Sequence, residues 1–304
     1  MNRKHFTPMN DYLFKYIFGK EERKNITLSF LNAVLGLEGN DELTDIVFLD
    51  KDFDPDEENG KLAKLDIYGK ASNGSQINIE VQVINYHNME KRTLYYWSCM
   101  YKQGMESGDD YKTLNRSITI NLLNFKMLPS EDPHSVYGIY NLENNHRLTD
   151  DLEIHFLEIP KFQPSSIKEL KRLERWMAYF SSKLTDEERK ELAMTDTAIA
   201  SAFEAENVFT QSDYERRKYE QRRKAILDYN SSMNGARQEG LALGLEQGLE
   251  QGLEQGLEQG LEQGIDMMSV LISSLLTENR YDDLKRVATD PDYRKLLFAE
   301  LQQK

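Results

Sequence analysis

Between Lys64 and Val83 the chain alternates. Ile77, Ile79, Val81 and Val83 take every second place, with Asn78, Glu80 and Gln82 between them. A period of two sends the aliphatic side chains to one face of a strand and the polar ones to the other. Leu65 and Ile67 alternate with Lys64, Asp66 and Tyr68 in the same way. Asn73-Gly74 separates the two runs, and both residues tolerate positive φ, so the stretch predicts a β-hairpin. A two-residue loop at Asn73-Gly74 would set Asp66 against Val81 and split the polar faces. A three-residue loop, Ser72-Asn73-Gly74, with Gly74 left-handed, sets Asp66 against Glu80 and Lys64 against Gln82. Only that parity gathers both aliphatic sets on one buried face.

The pattern elsewhere alternates helical and extended periods. Phe6–Gly36 reads as two helices broken at Gly19 and the charged run after it, with Phe14, Phe18, Phe30 and Leu31 as an apolar stripe. Asp11 and Lys15 lie four apart, the spacing of an intrahelical ion pair. Leu43–Leu49 reads as a strand, and the acidic stretch Asp50–Gly60 as a solvated loop whose spacing does not complete an EF-hand. Met89–Glu106 reads as a helix carrying Arg92 and Tyr96, Arg116–Phe125 as a core strand, and Ser135–Tyr140 and Leu152–Leu157 as further strands. Pro160 and Pro164 then punctuate the chain, and everything beyond Ser166 reads as helix.

The far end carries its own pattern. Gly244–Gln263 is GLEQ five times over. A period of four advances ~400° around an α-helix, so each Leu drifts ~40° and no single face holds them all. Gly at every fourth place costs ~1 kcal/mol each relative to Ala, so this segment alone is a marginal helix. It reads either as a spacer or as a rod that self-associates. The sequence predicts four regions: 1–162, 163–235, the repeat at 236–266, and a small helical module at 267–304.

Composition narrows the class. The chain has 304 residues, 39% hydrophobic and 30% charged, in the range of soluble globular proteins. No apolar run approaches the ~20 residues of a membrane span. Cys99 is the only cysteine, and Met1–Phe18 lacks the pattern of a signal peptide, so a cytoplasmic location is expected. The net charge of −14 opposes a general electrostatic grip on nucleic acid, although the repeat supplies five of the glutamates. Ser212–Asn230 runs against that average. Arg216, Arg217, Arg222 and Arg223 there are interleaved with Tyr214 and Tyr219, as either a DNA contact or a solvated charged face.

In the favoured register Asp66 and Glu80 repel each other across the strand pair. A divalent cation removes that cost by taking both as oxygen ligands, with the carbonyl of Val81 as a third oxygen and Gln82 on the same face. A bare D…ExQ pattern is equally met by an ordinary amphipathic hairpin with a solvated polar face.

The surrounding residues resemble a known family. NDYLFKYIFG at Asn10–Gly19, SFLNAVLG at Ser29–Gly36, KLDIYGKASNGSQINIEVQ at Lys64–Gln82 and KRTLYYWSCMY at Lys91–Tyr101 resemble the Rpn family of transposase-like recombination-promoting nucleases, within the PD-(D/E)XK superfamily. GDDY at Gly108–Tyr111, RSITINLLNF at Arg116–Phe125, IHFLEIPKF at Ile154–Phe162 and LERWMAYF at Leu173–Phe180 extend the likeness. The resemblance implies an α/β fold: a restriction-endonuclease-like core with a mixed sheet flanked by helices, followed here by the helical region with its repeat. It implies an Mg²⁺- or Mn²⁺-dependent DNA endonuclease in recombination or mobile-element processes. Asp66 and Glu80 then hold the metal and Gln82 orients the water. Asp11, Lys64, Arg92 and Tyr96 are candidate cleft or phosphate contacts. Gln82 departs from the wider superfamily, which has Lys there, although Gln is usual in this family. The competing reading is a non-catalytic nucleic-acid-binding or assembly protein, forming a homo-oligomer through its C-terminal helices.

Overall fold

The computed structural model describes residues 6–50, 52–53, 63–103, 105, 108–164 and 166–302. The chain forms two compact units, 1–230 and 231–304.

The first unit opens with α1 (Asp11–Phe18) and α2 (Lys24–Leu35). Asn10 caps α1, its side chain accepting from the amides of Tyr12 and Leu13. Strands β1 (Ile46–Phe48), β2 (Asp52–Phe53), β3 (Ala63–Lys64), β4 (Ile67–Ala71) and β5 (Gln76–Gln82) follow, then α3 (Met89–Lys102). Next come β6 (Ser117–Leu123), β7 (His134–Tyr140) and β8 (Arg147–Glu158). The sheet runs β1-β4-β5-β6-β8-β7, with β5, β6 and β8 parallel and the rest antiparallel. Helices flank this mixed sheet, as the α/β expectation required. β2 and β3 form a separate small ladder, and the rest of the acidic stretch lies outside the described residues.

The hairpin has the predicted register. Ile67 pairs with Ile79 and Gly69 with Ile77, and the amide of Ala71 donates to the carbonyl of Ser75. That leaves Ser72, Asn73 and Gly74 as the loop, with Gly74 at φ +86°. Gly69 is needed for a different reason: a Cβ there would lie 2.8 Å from the Ile46 side chain of β1.

The aliphatic face of the sheet packs on α1, α2 and three later helices: α4 (Arg172–Ser181), α5 (Asp186–Thr195) and α6 (Thr197–Gln211). Phe14, Phe18, Phe30, Trp176 and Phe180 interlock at the centre of that core, all fully buried. Helices beyond Phe162 therefore share one core with the sheet. The break in compactness lies after Asn230 and not at the predicted boundary of 162, because the stripe of α4 completes the burial of α1 and α2.

Helix α7 (Asp213–Thr277) begins in the first unit, where Tyr219 is buried against Phe6 and Phe209. In the second unit the GLEQ repeat is helical, with Leu245, Leu249, Leu253, Leu257 and Leu261 exposed by 66–76%. The ~40° drift of a four-residue period spreads these leucines around the helix. The end of α7 packs with α8 (Tyr281–Thr289) and α9 (Pro291–Gln302) around Leu271, Leu275, Val287 and Leu297. No described helix is long and apolar enough to cross a membrane.

Candidate active site

The second face of the hairpin is covered by α3 and carries a buried polar layer. Parallel pairing sets Asn78 beside Thr119 and Glu80 beside Asn121. Thr93 of α3 bonds both Thr119 Oγ1 at 3.1 Å and the Asn121 amide at 3.0 Å. Asn78, Glu80 and Asn121 are each no more than 2% exposed. A buried polar side chain costs free energy unless it is hydrogen-bonded, so this layer calls for an explanation beyond folding.

At its edge Asp66 and Glu80 face each other. Continuing the ladder one step past Ile67–Ile79 sets them directly across. The amide of Asp66 donates to Glu80 Oε1 at 3.1 Å, and the amide of Val81 donates to Asp66 Oδ2 at 3.0 Å. In an antiparallel ladder the N–H and C=O of one residue point to the same neighbour. The carbonyl of Val81 therefore lies on the Asp66 side of its strand.

Two cations divide the carboxylates. Arg92 spans three partners from α3: Glu80 Oε2 at 3.1 Å, Gln82 Oε1 at 2.8 Å and the Tyr96 hydroxyl at 3.1 Å. That fork places Gln82 on the same face as Glu80. Lys15 comes from α1 and reaches Asp66 Oδ1 at 2.6 Å. Burial, and then the Asp66 carboxylate, push the pKa of Glu80 well above the ordinary carboxylate value, with Arg92 opposing both. Asn78 Oδ1 and Asn121 Oδ1 are buried without a hydrogen-bond partner among the described residues. Acceptors outnumber donors in the layer, which favours a proton on Glu80 or a cation beside it.

Among the described residues no three His, Cys, Asp or Glu side chains gather as a metal centre. The donor set is two carboxylates with the Val81 carbonyl on the same edge. Hard oxygen donors from one or two carboxylates, completed by water, suit Mg²⁺. The residues present fit that cation.

Two predicted pairings come out differently. Lys64 was expected opposite Gln82, but its backbone pairs with Asp52 in the β2–β3 ladder, because the hairpin ladder ends at Ile67. Asp11 was expected either to pair with Lys15 or to line the cleft. It pairs with Arg222 of α7 at 2.6 Å, and Lys15 turns to Asp66. Of the basic cluster, Arg216 and Arg217 bond Asp213 within α7, and Arg223 pairs with Glu220 at 3.5 Å. All four arginines remain exposed. Tyr229 of the same helix meets Tyr86, in the segment after β5, at 5.0 Å between ring centroids. The basic start of α7 is thus held beside both α1 and the end of the hairpin.

Sequence pattern gives Lys15 only as a partner for Asp11, and does not bring it or the layer of Asn78, Thr93, Thr119 and Asn121 into the site. The signal was partly there: Thr119 and Asn121 alternate with Ile118, Ile120 and Leu122 in a strand otherwise aliphatic.

The family model described as PD-(D/E)XK nuclease family transposase matches residues 8–236, most of the chain. No curated protein and no solved structure matches it.

Proposed function

From the premise that the chain belongs to the PD-(D/E)XK nuclease family transposases, we propose that it is a metal-dependent DNA endonuclease acting in recombination or mobile-element processes. Membership supports a nuclease- or transposase-like role in general, and the superfamily generally uses divalent metal ions. The observation that carries the finer reading is the facing pair of part-exposed Asp66 and buried Glu80 at the edge of a polar layer, tied together through backbone amides.

Asp66, Glu80 and the Val81 carbonyl would hold Mg²⁺ or Mn²⁺. Such an ion supplies a Lewis acid and a bound water of lowered pKa. The protein's own groups do the rest. The Asp66 and Val81 amides fix the two carboxylates, so little reorganisation accompanies the reaction. Gln82 Oε1 accepts from Arg92 and keeps a second lone pair with which to orient the attacking water. Arg92 holds Glu80 and Gln82 in place, and the Tyr96 hydroxyl, which accepts from Arg92, keeps its own proton to donate to the scissile phosphate. In hydrolysis a water oxygen bonds to phosphorus, the bond from phosphorus to the leaving sugar oxygen breaks, and that oxygen takes up a proton. Arg216, Arg217, Arg222 and Arg223 give the DNA backbone a local positive track that the acidic net charge conceals.

One observation favours the non-catalytic reading. Lys15 and Arg92 already pair with Asp66 and Glu80, as a purely structural ion-pair network would. Isothermal titration with MgCl₂ and plasmid nicking in Mg²⁺ separate the two. Binding and nicking by the wild type, both lost in Asp66→Asn, is the expected result. A folded wild type that neither binds Mg²⁺ nor nicks DNA would leave only the binding or assembly role.

A further inference from the structure

Gln82 occupies the strand position where the wider superfamily has lysine, and it is neutral. Its oxygen accepts from Arg92, and its nitrogen donates to the Ile84 carbonyl at 3.3 Å. Arg92 is a poor replacement for that lysine. Its guanidinium is committed to Glu80, Gln82 and Tyr96, and it lies against the Tyr96 ring at 5.1 Å. The site thus needs a positive charge that neither residue is free to give.

Lys15 meets the requirement from another element. Its ammonium lies 2.6 Å from Asp66 Oδ1, and the Lys15 and Asp66 side chains are 29% and 15% exposed. The pair is therefore open to an incoming phosphate, unlike Glu80, whose side chain is 2% exposed. The fold also fixes where Lys15 points. Leu13, Phe14, Ile17 and Phe18 bury the apolar face of α1, and Asn10 caps its start. One turn before Lys15, Asp11 is taken by Arg222, so the ammonium is not drawn back along its own helix.

We propose that Lys15 is the working cation of this site. It neutralises Asp66 in the resting protein, and when a divalent cation takes the carboxylate its ammonium passes to a non-bridging oxygen of the scissile phosphate. The proposal rests on the metal-site reading above. Under it Lys15 and the metal compete for Asp66, whereas a lysine that only tethers α1 to the sheet would support the metal site or leave it alone.

The test uses the full chain, with MgCl₂ titrated calorimetrically and plasmid nicking followed at saturating Mg²⁺. Lys15→Met should bind Mg²⁺ about twofold to fivefold more tightly, the range a part-exposed ion pair supports. Its nicking rate should fall about a hundredfold or more, as when one donor to developing charge is removed. Lys15→Arg, which keeps the charge, should recover most of that loss. Where Lys15→Met lowers the melting temperature, Lys15→Gln makes the same comparison with a hydrogen bond to Asp66 retained. Nicking at the wild-type rate by either folded neutral variant overturns the proposal, and so does weaker Mg²⁺ binding alongside the lost rate. Both results leave the metal-site reading standing. A wild type that neither binds Mg²⁺ nor nicks removes that reading and this one together.

Discussion

Asp66 and Glu80 are joined by a hydrogen bond that neither carboxylate–carboxylate repulsion nor strand pairing would suggest: the backbone amide of Asp66 donates to Glu80 Oε1 at 3.1 Å. The two acidic residues are locked in place before any cation arrives. Sequence reasoning expects removal of Glu80 to relieve repulsion. In the structure its removal takes the acceptor from the Asp66 amide and one of three partners from Arg92.

Substitutions at this pair should therefore separate by shape. Glu80→Gln keeps an acceptor for the Asp66 amide, and its melting temperature should correspond to a loss within about 1 kcal/mol. Glu80→Ala should cost about 1–3 kcal/mol, because the Asp66 amide loses its acceptor and the half-buried Arg92 guanidinium loses one of its three partners. Both should abolish Mg²⁺ binding in calorimetry. A Glu80→Ala protein more stable than the wild type would contradict the observed bonding.

The raised pKa of Glu80 gives a pH dependence with a definite sign. A carboxyl raised above its ordinary value of 4.5 contributes stability that is fully present below 4.5 and is lost as pH rises through the folded value. In EDTA, the melting temperature of the wild type should fall with rising pH relative to that of Glu80→Gln. Mg²⁺ affinity should rise over the same interval, since the ion requires the ionised form. Parallel melting curves for the two proteins at every pH would refute the assignment to Glu80.

The opposite sign is expected on the other face of the sheet. His134 Nε2 lies 2.9 Å from His155 Nδ1, and His155 Nε2 lies 2.8 Å from Glu153 Oε1. Burial, and then His155, depress His134 from 6.5 to about 4. A depressed histidine contributes stability above 6.5 that is lost as pH falls towards 4. His134→Gln should flatten the acid side of the melting profile while leaving nicking at neutral pH unchanged. An unaltered acid limb would show that some other group sets it.

The basic start of α7 predicts a salt signature. Arg216, Arg217 and Arg223 bond only acidic or backbone groups of their own helix in the contacts described above. Each arginine that contacts a phosphate adds about one to the slope of log K against log salt. The triple Ala variant, measured with DNA in Ca²⁺, should lose about two to three from that slope and keep its melting temperature. An unchanged slope would leave these arginines as a solvated helix face.

Truncation addresses the repeat. The first compact unit ends at Asn230 and the family match at residue 236. A chain ending at Gly235 should stay folded and bind Mg²⁺. Light scattering should show a smaller particle if the repeat self-associates, and an unchanged stoichiometry if it is only a spacer. Failure of this shorter chain to fold would place essential packing beyond Gly235.

The sequence alone determined the hairpin and its register. Alternation with period two allows only one parity that buries both aliphatic sets, and the left-handed Gly74 then sets the loop at three residues. Helix limits at Gly19 and Gly36 follow from equally local rules. Tertiary structure decided what local rules leave open. An i,i+4 pair between Asp11 and Lys15 is worth only about 0.2–0.5 kcal/mol. Packing of α1 against α7 and the sheet redirected both side chains, one to Arg222 and the other to Asp66. The same holds for Arg92, whose place over Glu80 and Gln82 depends on where α3 crosses a strand ten residues earlier in sequence. It holds too for the helices after Phe162, whose stripes gave no sign of which core they complete. Periodicity records which face of an element is buried; the partner that buries it is set by long-range contact, and most of this site's charges are supplied across such contacts.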